Sequence, residues 1–177
     1  YSYVNGNPVS FVDPFGLDAM LDEYINEKFY GVKNVSLIIN QPITDSRNVA
    51  TIEDGNLNYG HSFIRLDDGK GNVQYIGFGP KDSSLKSMIF AEDVESVFYD
   101  DSQTDWDVAK IYQLNDEQYD SIVKYIDSER EKKKDYNIES YNCTTFAVNI
   151  IKSGTESKKF TDVMEHEWQL PDNIRKQ

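Results

Sequence analysis

Three side chains in this sequence have the chemistry for nucleophilic catalysis. They are Cys143, the sole cysteine in 177 residues, and the only two histidines, His61 and His166. A thiol attacks a carbonyl well only as the thiolate. Two settings lower a thiol's pKa: the open N–H groups and positive dipole end of a helix N-terminus, and an adjacent imidazolium. A histidine so placed also takes the thiol proton and returns it to the leaving group, and a third polar group ordinarily orients the imidazole. The same residues have a plainer reading. A free cysteine is often a small core hydrophobe, and a histidine at a strand end is often simply half-buried. His166 stands between Glu165 and Glu167 and reads as a surface residue, the second-choice partner if His61 lies far from Cys143.

The elements around these residues decide between the readings. Cys143 lies in YNCTTFAVNII, residues 141–151. Thr144, Thr145, Val148, Ile150 and Ile151 are β-branched and favour a strand. Asn142 suits an N-cap, Lys152 a last turn and Gly154 a C′ stop. The cap signals bracket the segment, so it is predicted to be a helix that begins at Cys143. The Cys143 backbone N–H could then serve an oxyanion hole, with Asn142 beside it as a substrate or oxyanion contact.

His61 opens GHSFIRL, a strand pattern followed by the turn cluster DDGKGN and a second strand, VQYIGFG. This is a hairpin signature. With the turn centred near Gly69-Lys70, alternation places His61, Phe63 and Arg65 on one face together with Gln74, Ile76 and Phe78. Gln74 is the orienting residue on that parity. A shift of one residue would exclude it and admit Tyr75, which is also the candidate substrate contact.

Elsewhere, DAMLDEYINEKFYG has helical spacing with Gly31 near its stop, VSLIIN reads as a buried strand, and residues 41–58 read as a loop. SLKSMIF suits a short helix, and ESVFYD and WDVAKIYQL suit strands. Asn115 and Gln118 occupy capping-box positions for a helix running to about Lys134. The expected class is α+β, an antiparallel sheet with helices packed against it.

The formal net charge of −13 argues against nucleic acid, which requires clustered Lys and Arg. The one basic run, Lys132-Lys133-Lys134, meets Asp135 at once and reads as a solvated helix end. One cysteine excludes an internal disulfide and a cysteine-rich zinc site. Asp67-Asp68 and Asp100-Asp101 lack calcium-loop spacing and read as turns. No phosphate loop is present, and no metal or cofactor is expected. The longest apolar runs are too short to span a bilayer, so stable membrane insertion is not expected. No signal peptide opens the sequence, so export is expected to depend on a carrier.

The first seventeen residues, YSYVNGNPVSFVDPFGL, are dense in turn formers. The pattern Tyr-x-Tyr-Val-x-x-Asn-Pro followed by Asp-Pro-x-Gly-Leu resembles the end of the core of Rhs/YD-repeat proteins. In that family a β-cage core cuts itself just past the leucine and releases a variable toxin. The resemblance implies a core remnant over residues 1–17, with Asp13, Pro14, Gly16 and Leu17 in the self-cleavage motif, and a toxin domain over 18–177. It also implies three partners: the β-cage before release, a cognate immunity protein, and a substrate in a target cell reached through a secretion system.

A second resemblance joins Gly-His-Ser-Phe-Ile, at His61, to Asn-Cys-Thr-Thr-Phe-Ala, at Cys143. In this order the pair is similar to the circularly permuted NlpC/P60 group of papain-like enzymes, which includes the lecithin:retinol acyltransferase-like enzymes. It implies a permuted papain-like arrangement with Cys143 and His61 as the catalytic pair. The acyltransferase-like members carry a second histidine on the next strand, and VQYIGFG has none. The expected function is thus a secreted bacterial toxin that is a cysteine hydrolase of an amide or ester bond in peptidoglycan, protein or lipid. The competing expectations are a toxin that binds and blocks a target protein, with Cys143 in the core, and a lipid acyltransferase or phospholipase. A nuclease is disfavoured by the charge balance.

Overall fold

The structure, a computed structural model, describes residues 11–12, 25–42, 51–53, 56–81, 91–104 and 106–155. Its centre is an antiparallel sheet of five strands: β2 (Asn34–Asn40), β5 (His61–Asp67), β6 (Val73–Pro80), β7 (Ser96–Asp100) and β8 (Val108–Gln113). The two-residue strand β1 (Phe11–Val12) extends it, giving the order β1-β8-β2-β5-β6-β7. Two helices complete the fold, α1 (Asp116–Lys132) and α2 (Cys143–Gly154). The class is α+β, as the sequence pattern predicts.

β2 and β5 are central strands and are buried on both faces, which is why VSLII and HSFIRL are not cleanly alternating. Val35, Leu37, Ile64 and Leu66 face the two helices, where Ile122, Phe146 and Ile150 complete the main core. Ile38, Phe63, Ala109 and Ile111 face the other way and are covered by Ile25 and Phe29 from a helical segment at residues 25–29. That segment lies within the helix expected after residue 18, and Gly31 follows it at φ +76°.

In the β5–β6 turn the Asp68 carboxylate accepts hydrogen bonds from the Lys70 and Asn72 backbone N–H groups and from Asn72 Nδ2. Asp68 therefore belongs to the turn, as read from sequence, whereas Asp67 is the last residue of β5, and its buried carboxylate meets Arg65 Nη1 at 3.1 Å and accepts the Gly69 N–H at 2.8 Å.

α1 carries the capping box foreseen at Asn115 and Gln118, with both reciprocal bonds at 2.9 Å. It ends at Lys132, two residues short of the expected end, because Lys133 turns into the left-handed region at φ 46°. α2 forms despite its β-branched residues because Phe146, Ala147, Ile150 and Ile151 fall on one buried stripe, and that packing outweighs weak local propensity.

Two expectations are corrected. Residues 41–58 are not wholly loop: β3 (Thr51–Glu53) and β4 (Asn56–Asn58) form a small hairpin. Gly154 is not a left-handed C′ residue but the last residue of α2, with Thr155 as C-cap. Its role is close approach, since a β-carbon there would lie 2.6 Å from Ile122 Cδ1. The helix expected in SLKSMIF, His166 and the self-cleavage motif from Asp13 to Leu17 lie outside the described residues.

Candidate active site

Cys143 and His61 meet where two strands part. The ladder between β5 and β6 runs from Asp67↔Val73 only as far as Ile64↔Ile76. Beyond it, His61, Ser62 and Phe63 pair with β2 alone, while Gly77, Phe78 and Gly79 pair with β7 alone. The N-terminus of α2 comes to this opening. There the Ser62 backbone N–H, with no β6 carbonyl to meet, donates to the Cys143 sulfur. Ser62 Oγ and Thr144 Oγ1 share a hydrogen bond of 3.0 Å, which ties the first turn of the helix to the end of the strand.

The helix is held in place by its neighbours in sequence. Asn142 is its N-cap: Oδ1 accepts the Thr145 backbone N–H at 3.0 Å, and Nδ2 donates to the Ile138 carbonyl at 2.8 Å. One turn in from Cys143, Phe146 stacks on Phe78 of β6 with ring centroids 5.1 Å apart. The Tyr141 hydroxyl donates to the buried carboxylate of Glu129, which Lys132 Nζ also contacts at 2.8 Å, so α1 anchors the chain just before the cap. The pattern Asn-Cys-x-x-Phe thus has a physical content: a cap, a thiol at the helix mouth, and an aromatic that presses the first turn against the sheet.

His61 is oriented by Asp101, one residue beyond β7. The Nε2–Oδ2 distance is 2.9 Å, and the other oxygen of Asp101 accepts from Thr104 Oγ1 at 2.8 Å. With Nε2 occupied, Nδ1 is the ring nitrogen left for the thiol. The His61 side chain crosses over β6 to reach Asp101, and Gly77 lies beneath the crossing. A β-carbon on Gly77 would overlap the Asp101 carboxylate and come within 3.0 Å of His61 Nε2. Gly60, just before His61, sits at φ +74°, and a β-carbon there would lie 2.5 Å from the Asn40 carbonyl oxygen. Both glycines are steric requirements of the site.

The electrostatics favour an ion pair. Burial lowers the tendency of His61 to charge, but its hydrogen bonds to Asp101 and Cys143 outweigh this and raise its pKa to about 9. Burial likewise works against ionisation of Cys143, yet the His61 ring, the Ser62 N–H and the Thr144 hydroxyl bring the thiol below its ordinary value. Burial would raise Asp101, and its bonds to His61 and Thr104 instead hold it low. Cys143 keeps partial solvent exposure, as does His61. A thiol drawn toward ionisation at an accessible helix mouth, an imidazole beside it and a carboxylate behind that imidazole have the chemistry of a nucleophile, an acid–base group and an orienting residue.

The structure brings Cys143 and His61 together, as the sequence predicts, and rejects Gln74 as the third member. Arg65 pairs with Tyr75 and Leu66 with Gln74, so Gln74 lies on the opposite face from His61 and is exposed. The parity was off by one. Tyr75 does share the His61 face, but its ring packs against Phe63 at 6.4 Å, and Phe63 in turn stacks on His61 at 5.7 Å. Tyr75 supports the ring that supports His61. Asn142 holds the helix that carries the thiol: its Oδ1 caps the Thr145 N–H, and one Nδ2 hydrogen goes to the Ile138 carbonyl. The amide of Cys143 makes no hydrogen bond among the described residues and remains open at the helix mouth.

Asp101 was missed. Its local signal, Asp100-Asp101 at a strand end, is that of a turn, and Asp100 does make one by accepting the Ser102 N–H at 3.1 Å. Only the neighbouring burial of Asp101, 7% exposed, marks it as different. Among the described residues no cluster of His, Cys, Asp and Glu is arranged to hold a metal, and no helix is long and apolar enough to cross a membrane. Compared with known proteins, the chain matches no family model, no curated protein and no solved structure.

Proposed function

We propose that this chain is a cysteine hydrolase acting as the toxin portion of an Rhs-type effector, with a permuted papain-like arrangement of its catalytic groups. The observation that carries the enzymatic reading is the His61–Asp101 hydrogen bond at 2.9 Å on one side of an imidazole whose other side meets Cys143. A core cysteine has no need of such a partner. The toxin reading rests on the sequence pattern of residues 1–17 and on the order of the histidine and cysteine motifs.

In this mechanism Cys143 Sγ adds to a carbonyl carbon, and the carbonyl π pair moves to oxygen. The open Cys143 N–H at the helix mouth donates to that oxygen. As the tetrahedral adduct collapses, the bond to the leaving nitrogen or oxygen breaks, and His61 gives its proton to the departing group. Water then attacks the thioester with His61 as base, releasing the acid and restoring the thiol. Asp101 holds the ring through both steps and stabilises its cationic form.

The net charge of −13 disfavours adhesion to anionic membranes and tilts the substrate toward peptide or amide bonds over lipid esters. A toxin of this kind is delivered into a target cell and neutralised in its producer by a cognate immunity protein. The test is expression of the chain and of its Cys143→Ala variant in target cells, with mass spectrometry of peptidoglycan, protein and lipid. Loss of toxicity with an intact fold, together with a Cys143-dependent cut, supports the reading. Full toxicity from the alanine variant leaves only a binding toxin.

A further inference from the structure

We propose that Ser62 and Thr144 are a positioning pair: the hydrogen bond between their hydroxyls holds the Cys143 thiol at working distance from the His61 imidazole. The role rests on the hydrolase reading above and adds to it two residues that act through the catalytic pair.

Each member of this bond is the next residue in sequence after a catalytic one. Ser62 follows His61 on β5, and Thr144 follows Cys143 on α2. Their hydroxyl oxygens lie 3.0 Å apart, across 82 residues of chain. Neighbouring side chains of a strand point to opposite faces. Ser62 therefore shares the helix-facing row of β5 with Ile64 and Leu66, both of which belong to the main core. It is the polar end of an apolar row and only 4% exposed. A hydroxyl so buried is costly without a partner. Among the described residues Thr144 is the side chain that meets it.

The site needs such a tie because the sheet supplies none there. From His61 to Phe63, β5 pairs with β2 alone, and the ladder to β6 has ended at Ile64↔Ile76. Farther in, α2 rests on the sheet through Phe146, Ile150 and their neighbours. Apolar contact is non-directional and tolerates a slide of the helix along the strand. A hydrogen bond weakens steeply with distance and angle. A slide that left the apolar contacts intact would break the Ser62–Thr144 bond and, by the same displacement, part the sulfur from the ring.

The bond also has a sense. The Thr144 hydroxyl favours ionisation of the thiol, which it does by donating to the sulfur. Its single hydrogen is then used, and its oxygen accepts from Ser62. The three groups form one directed chain, from Ser62 to Thr144 to the sulfur.

The test is the rate of Cys143 alkylation by iodoacetamide against pH, with thermal unfolding beside it, in the full chain and its variants. Thr144→Val keeps the shape of threonine without the hydroxyl. Ser62→Ala removes the other hydroxyl, the double variant removes both, and Thr144→Ser retains the bond. None alters His61 or Asp101, the charged groups at the site. The proposal predicts that in both hydroxyl-free single variants the onset of reactivity moves up toward the ordinary thiol pKa of 9. Their rates at neutral pH should fall by about 10- to 100-fold, the scale of a misplaced catalytic group. Thr144→Ser should behave as the unmodified chain. The double variant should be no slower than Thr144→Val, because the two hydroxyls act through one bond. It should also melt above Thr144→Val, which leaves the Ser62 hydroxyl buried without a partner. Stability regained without reactivity separates positioning from packing. Variants that melt lower with an unmoved pH profile would make the bond merely structural and overturn the proposal, as would losses that multiply in the double variant. A thiol that already reacts only near pH 9 in the unmodified chain would overturn the hydrolase reading and this role with it.

Discussion

A β-carbon on Gly77 would overlap the carboxylate of Asp101, so the smallest residue of β6 is what lets β7 deliver an acid to a histidine on β5. Gly77→Ala tests this. The added methyl group must displace either Asp101 or the His61 ring, while the backbone of a regular strand accepts alanine. The expected result is a fall in activity of about 100-fold, the scale of a misplaced acid–base group, with little change in thermal unfolding. Wild-type activity from this variant would show that the His61–Asp101 bond does not matter.

Asp101→Asn keeps a hydrogen-bond acceptor but removes the charge. The carboxylate stabilises imidazolium, so its removal lowers the His61 pKa from about 9 toward its ordinary value. Because imidazolium persists only below that pKa, the alkaline limb of the pH–rate profile should move to lower pH. The rate at the optimum should fall by about 10- to 100-fold. A limb that stays near 9 would assign the shift to Cys143 alone.

Asn142 separates stability from chemistry. Asn142→Ala removes the cap and should cost about 1 kcal/mol, or about 2–4 °C in melting temperature for a domain of this size. Asn142→Asp keeps the Oδ1 acceptor for the Thr145 N–H but replaces the Nδ2 donor to the Ile138 carbonyl with an oxygen, and it sets a carboxylate beside the thiol. It should therefore lose stability as well, while the acid limb of activity moves to higher pH, a shift that Asn142→Ala does not cause. An acid limb unmoved by the aspartate variant would contradict the placement of Asn142 beside the thiol.

Gly154→Ala should destabilise without touching activity. Alanine gains about 1 kcal/mol over glycine in a helix interior, but here its methyl group would lie 2.6 Å from Ile122 and 2.9 Å from the Gln118 carbonyl. Overpacking of that kind costs about 1–3 kcal/mol, which outweighs the propensity gain. Chemical denaturation gives the sign directly, and a stabilised variant would contradict the packing between α1 and α2.

The parts of the site that sequence made legible are those written in local signals. Asn142 before an apolar stripe and Gly60-His61 before an alternating run need only a cap and a strand start. Gln74 failed because hairpin parity depends on the turn: Asp68 gathers Lys70 and Asn72 around its carboxylate, which sets Arg65 against Tyr75 rather than against Gln74. Asp101 failed for a different reason. Its partner is 40 residues away and lies across an intervening strand, and nothing local to FYDDS distinguishes a turn aspartate from a buried one. The strand β3, Thr-Ile-Glu, and its mate Asn-Leu-Asn each carry a single apolar residue, too little pattern to distinguish a strand from a loop.

The central claim is that Cys143 and His61 form a thiolate–imidazolium pair in the resting protein. The rate of Cys143 alkylation by iodoacetamide as a function of pH, in the chain and in its His61→Ala variant, measures this most directly. The account predicts reactivity well below the ordinary thiol pKa of 9 in the unmodified chain and its loss in the variant. A single rise near 9 in both proteins would contradict it.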